Sequence, residues 1–179
     1  MKRRLAVLCL LAAPLVAHAQ SAPEWQAVVG PELRFRFEMP TPVEKSTASE
    51  KEKGHASLRI GWTAKLDGQM FDFDFVDYED GWFSTRDTKV MSKELGRGDA
   101  EKAFPKDRYK YVRDELVGQQ GWDGYALDIE ASDGALVMMR TYIVKDRLYR
   151  LLVTAKADPK TREAANRFLD SFKVAEARP

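Results

Sequence analysis

Five carboxylates fall within nine residues of this chain: Asp72, Asp74, Asp77, Glu79 and Asp80. Clustered carboxylates can hold a hard cation, and a pair of them can act as general acid and general base in a hydrolysis. The spacing speaks against a metal. Asp72 and Asp74 alternate with Phe71, Phe73 and Phe75, so they share one strand face, and the run lacks the ordered ligands and glycine of a calcium loop. The pattern predicts a solvated strand face, with no metal and no cofactor. Acid-base work by the pair would require burial in a pocket, which alternation alone does not supply.

Other residues able to do chemistry are few. Beyond residue 19 the chain has one histidine, His55, and no cysteine. Ser57 lies two residues from His55, but no glycine-flanked elbow presents it as a nucleophile, so a loop histidine is expected and no catalytic residue is assigned. Lys106, Arg108, Lys110 and Arg113 interleave with Tyr109 and Tyr111 in the manner of a nucleic-acid face. Acids dispersed among them favour a solvated strand and no nucleic-acid partner. Trp82 and Phe83 beside Gly81 read as core. Trp122 and Tyr125, in Gly121-Trp122-Asp123-Gly124-Tyr125, are the candidate partner contacts, because aromatics on flexible backbone often mark contact surfaces. For Trp122 a core plug at the sheet edge is an equal alternative.

The start of the chain bears on where such residues would work. Lys2-Arg3-Arg4, the apolar run from Leu5 to Val16 and the small residues of Ala17-His18-Ala19 predict a secretory signal peptide over residues 1–19, cleaved after Ala19. The run is shorter than the roughly 20 residues a membrane-spanning helix needs, so no transmembrane anchor is expected. Cys9 lies inside the run, where it cannot accept a lipid. Without Lys2, Arg3 and Arg4 the remainder carries 26 basic and 28 acidic residues, a net charge of −2. This gives no global attraction to nucleic acid or to an anionic membrane. A chain without disulfides must be held by its core, and residues 20–179 are enough for one such domain.

Hydrophobic periodicity supplies the elements that would position these side chains. Leu33, Phe35, Phe37 and Met39 alternate with polar residues up to Pro40, predicting a strand with one buried face. Gln20 to Pro31 reads as a loop or short helix, and the polar stretch from Val43 to Gly54 as a turn. Leu58 to Leu66 and Phe71 to Phe75 alternate on either side of Asp67-Gly68, a hairpin signal. Val90, Met91, Glu94 and Leu95 suit a helix interrupted at Gly96-Arg97-Gly98, with a second short helix from Asp99. Strands are predicted over Tyr109 to Val117 and Tyr125 to Ile129, joined by a glycine-punctuated segment, and another follows the Asp133-Gly134 turn. Thr141 to Val144 and Leu148 to Val153, around Lys145-Asp146-Arg147, are apolar at odd and even positions alike, so both faces must be covered. Asp158 caps a helix beginning at Pro159, whose residues 161, 164, 165, 168, 169 and 172 form one apolar stripe. Strands joined by hairpins, with helices in the middle and at the end, predict an α+β fold: an antiparallel sheet of about six strands flanked by helices.

Two stretches resemble a known family. Phe35-Arg36-Phe37-Glu38-Met39-Pro40 is similar to the aromatic strand and proline that open many secreted PsbP-like domains. Arg140 to Val153, followed by Arg167-Phe168-Leu169-Asp170-Ser171-Phe172-Lys173-Val174, resembles the ending of uncharacterised secreted bacterial members of the PsbP-like superfamily. The resemblance covers most of residues 33–174 and implies an α/β/α sandwich. Its members include an extrinsic photosystem II subunit and a GTPase-binding import factor, whose partner motifs are not matched here. Together these readings lead to an expectation of a non-enzymatic periplasmic or secreted domain that binds a protein or cell-envelope component, with an envelope hydrolase using carboxylates as the alternative.

Overall fold

The structure, a computed structural model, describes residues 24–52, 55–103 and 108–175. The expected signal segment 1–19 lies outside them, as do Lys106 and the side chains of His55, Ser57 and Asp99. The described elements run β1 (Trp25–Val29), β2 (Phe35–Pro40), β3 (Val43–Glu52), β4 (His55–Leu66), β5 (Gln69–Asp77), α1 (Thr88–Ala103), β6 (Tyr109–Gln119), β7 (Trp122–Ala131), β8 (Ala135–Val144), β9 (Arg147–Lys156), α2 (Pro159–Ser171) and β10 (Lys173–Val174). Seven strands form one antiparallel sheet in the order β3-β4-β5-β9-β8-β7-β6, and β1-β2-β10 form a small second sheet. The α+β class holds, with seven main strands instead of about six. Flanking by helices holds in part: each face carries one helix, and the small sheet shares the face of α2. No helix among the described residues is long and apolar enough to cross a membrane.

Turn chemistry sets the register. Asp67 and Gly68 both adopt positive φ, 50° and 78°, which places Leu66 opposite Gln69 and keeps Phe71, Phe73 and Phe75 on one face. The turn between β8 and β9 is tighter than expected, because Arg147 already pairs with Val144. Asp158 caps α2 as its sequence predicts: one carboxylate oxygen accepts the Thr161 N–H at 2.9 Å and the other its hydroxyl at 2.6 Å. That start turns Ala165, Phe168 and Leu169 inward, and Phe172, just past the helix end, is buried as well.

These side chains close the main core. Trp62 from β4, Phe71, Phe73 and Phe75 from β5, and Tyr149, Leu151 and Val153 from β9 meet Phe35, Phe37 and Met39 from the small sheet and Phe168 from α2. Phe37 stacks on Phe73 with centroids 4.2 Å apart, and Phe168 meets Phe37 edge-on at 5.9 Å. Each such ring removes about 150–250 Å² from water, so this layer supplies much of the fold's stability.

Three expectations are corrected. Trp25–Val29 is a strand and not a loop or short helix, because it pairs with β2 from Trp25 opposite Pro40 to Val29 opposite Arg36. The polar stretch after Val43 is also a strand, paired with β4 from Val43 opposite Ala64 to Glu52 opposite His55. It lies at the sheet edge, where charged residues discourage pairing with another chain, so it shows no hydrophobic period. Finally, α1 runs unbroken through Gly96-Arg97-Gly98, with no second start at Asp99. Gly96 is a packing site, since a Cβ there would lie 2.8 Å from a ring carbon of Tyr125.

Candidate functional site

The second face of the main sheet is built differently. Strand parity turns Tyr125, Leu127 and Ile129 of β7 toward it, along with Val137 and Met139 of β8 and Leu152 of β9. Among the described residues of the helix that lies here, α1, only small ones, Ser92, Gly96 and Ala100, are fully buried, while Met91 and Leu95 are partly buried against Phe83, Ile143 and Leu148. Its glycine lets the helix settle directly over Tyr125, and beside it Leu152 and Thr154 of β9 and Asp72 and Asp74 of β5 stay only partly buried. A groove of about 350 Å³ remains there, floored by Leu127, Ile129, Val137, Met139 and Leu152, with Ala100 on the helix side. This is within the range of small-molecule sites.

The opposite wall is acidic. Asp72 and Asp74 of β5 line the groove together with Arg150 and Thr154 of β9. Asp74 is fully engaged: Arg150 donates to it from Nε at 3.0 Å and from Nη2 at 2.9 and 3.1 Å, and Arg59 Nε stands 3.8 Å away. Asp72 accepts one hydrogen bond, from the Thr63 hydroxyl at 2.7 Å. Burial pushes its pKa above the ordinary carboxylate value, and the Thr63 bond opposes that rise without cancelling it. The two acids expected on a solvated strand face therefore stand half-buried at the edge of an apolar groove. The rest of the acidic run is elsewhere. Asp77 has the opposite parity and pairs with Arg147, Nη2 to Oδ2 at 2.7 Å, while Glu79 and Asp80 are exposed beyond the strand. Among the described residues no three potential ligands gather as a metal site.

The two expected contact residues are separated by the same parity rule. Residues 122 and 125 point to opposite faces of β7. Tyr125 is buried, with 1% of its surface exposed, beneath Gly96 of α1, and its hydroxyl donates to Asp114 Oδ1 at 2.5 Å. Burial, reinforced by Asp114, raises its pKa. It has no surface to offer a partner in this fold. Trp122 is half-buried against the main core on the other face. It is not on a loop, because Gln120 and Gly121 form a two-residue turn with φ of 50° and 84° and Trp122 pairs with Gln119. The basic residues near Tyr109 are accompanied by acids: Lys110 pairs with Glu130 at 2.6 Å and Arg113 with Glu115 at 2.5 Å.

The groove itself was missed in the sequence, although a signal for it was present. Apolar residues at both parities of β8 and β9 require cover on both faces, while the segment that becomes α1 offers too few large apolar side chains to provide it.

The chain matches no protein-family model and no curated protein. Among solved structures it is similar to cyanobacterial PsbP (CyanoP) from Synechocystis sp. PCC 6803, with a TM-score of 0.59 and 12% identity over 92% of this chain and 98% of that one. Two others align less closely. LpqN of Mycobacterium tuberculosis, described as involved in cell envelope biogenesis, gives a TM-score of 0.43 at 10% identity, over 89% of this chain and 88% of its own. A Bacteroides thetaiotaomicron protein gives 0.40 at 12% identity, over 84% and 48%. At such identity the likeness to CyanoP is one of architecture alone, and that architecture makes this a PsbP-like fold.

Proposed function

We propose that this protein is a non-enzymatic periplasmic or secreted domain that binds a protein or cell-envelope component through the groove between α1 and the main sheet. The observation that carries this reading is the groove of about 350 Å³ beside α1, whose lining is mainly apolar and whose far wall carries Asp72 and Asp74. Leu152 keeps part of its surface open there, and covering it would contribute roughly 25 cal/mol for each Å² removed from water. Export rests on the basic, apolar and small-residue order of residues 1–19. The intact mass of exported protein checks it, with Gln20 expected as the first residue and retention of Met1 contradicting it.

The carboxylate hydrolase draws support from Asp72 and Asp74 facing one groove, with Asp72 raised in pKa. Against it, Asp74 is engaged by Arg150 on both oxygens, with Arg59 close by, so it is poorly placed to act as a base or nucleophile. Trp122 lies outside the groove, and a contact through its outward half is a separate part of the proposal.

Photo-crosslinking from Thr154, at the groove wall, should capture an envelope component in vivo, and the groove-filling substitution Leu152→Trp should suppress that capture. Equal capture by the filled variant would remove the groove from the function. Hydrolysis of an envelope polymer that is lost in Asp72→Asn would favour the alternative.

A further inference from the structure

The charge arrangement at the groove points to a class of ligand. We propose that the groove takes an amphiphile with an apolar chain and a cationic head, the chain lying along the floor and the head beside Asp72. The proposal rests on the groove being the binding site and adds to it the chemistry of the occupant.

The floor selects the chain. Leu127, Ile129, Val137, Met139 and Leu152 present no side-chain hydrogen-bonding group, so an apolar segment loses nothing by covering them, whereas a polar one would lose its bonds to water. The wall selects the head. Arg150 is not available to an anion, because it is spent on both oxygens of Asp74. Asp72 stands in the opposite condition. Its one hydrogen-bond partner among the described residues is the Thr63 hydroxyl, although a carboxylate can accept about four bonds. A half-buried carboxylate answered only by a hydroxyl lacks a cation, and its raised pKa is the expected consequence. For the fold alone, an asparagine would keep the Thr63 bond without the burial cost of a charge. A ligand ammonium at this position would supply the charge-assisted bonds that the protein does not provide.

Calorimetry on the chain from Gln20 onward, at neutral pH, can test this with three probes that share a tail and differ in the head: octylammonium, octanol and octanoate. Octylammonium should bind about tenfold more tightly than octanol, as expected for one hydrogen bond to a charged group, and octanoate should be weakest. Asp72→Asn should reduce octylammonium to the level of octanol and leave octanol unchanged. Leu152→Trp should remove binding of all three, with Thr154→Trp as a second filling variant if the first does not fold. Octanoate binding as well as octylammonium, or a preference for octylammonium that survives in Asp72→Asn, overturns the cationic head. If no probe binds while Leu152→Trp still suppresses crosslinking in vivo, this ligand class falls and the groove keeps its role. If no probe binds and crosslinking is also unaffected, both fall.

Discussion

The two faces of the main sheet are made from the same strands but follow different packing rules. On the face of α2, rings from β2, β5, β9 and the helix interlock, and Phe35, Phe37, Phe71, Phe73 and Phe168 are almost completely buried. On the face of α1, small residues bring the helix close over Tyr125, and a groove with a mainly apolar lining stays open beside two acids and an arginine. The first arrangement maximises buried area. The second also buries Leu127, Ile129, Val137 and Met139 but leaves a groove open beside the helix. Under the proposed function, the aromatic face would chiefly serve stability and the groove recognition.

The largest expected effect tests the stabilising face. Phe168→Ala should cost about 3–5 kcal/mol in urea melts, because it empties a site surrounded by rings that cannot collapse freely. Glu163→Ala, on the exposed side of the same helix, should stay within about 0.5 kcal/mol. Similar losses for the two would mean that the aromatic face is not the stabilising one.

On the other face, Gly96→Leu should cost about 1–3 kcal/mol, since its side chain must push α1 away from the Tyr125 ring. The same variant should bind octylammonium differently from the wild type, because the helix wall of the groove has moved. Unchanged stability and unchanged binding would show that α1 does not need its close seat.

Trp122→Ala addresses the boundary between the two roles. Half-buried against the main core, the ring should contribute about 2 kcal/mol, below the range for a fully buried tryptophan. If capture of an envelope partner also weakens by about 1 kcal/mol or more, the stabilising face carries recognition too, and the division is less sharp. A stability loss with unchanged capture would make Trp122 purely structural.

The smallest effect is a pH dependence. The pKa of Asp72 in the folded chain lies above its ordinary value of 3.8, so folding favours the protonated form. Its favourable contribution is complete below 3.8 and is lost as pH rises through the folded pKa. Asp72→Asn should therefore leave stability unchanged in strong acid and raise it slightly at neutral pH, while weakening cation binding. A neutral-pH loss of stability in this variant would show that the carboxylate serves the fold.

What could be read from the sequence follows the same division. The aromatic face was visible because its residues recur at simple spacings: Phe71, Phe73 and Phe75 flank the Asp67-Gly68 turn, and Asp158 fixes the phase of α2. β3 was hidden because an edge strand bathed in water needs no hydrophobic period. The continuity of α1 was hidden because Gly96 signals a break by propensity and is retained for contact. Trp122 and Tyr125 looked like one surface because they are close in sequence, and the two-residue turn at Gln120 and Gly121 places them on opposite faces. The groove combines residues from four strands and a helix, so its shape depends on strand order, in particular on β9 lying between β5 and β8.

That strand order also governs how the chain can assemble. The strands β3-β4-β5 form one run of sequence neighbours and β6-β7-β8-β9 another, so each can zip locally with short loops. They meet only between β5 and β9, where Asp77 and Arg147 are 70 residues apart and Asp74 and Arg150 are 76 apart. Loop-closure entropy places this seam late in folding. The aromatic core needs later material still, because α2 and β10 follow β9 and β10 pairs with β2 near the other end of the chain. A chain emerging from the ribosome, or passing through a membrane pore, would therefore hold two loose meanders until almost all of it had been delivered, and would become compact only when its two ends met.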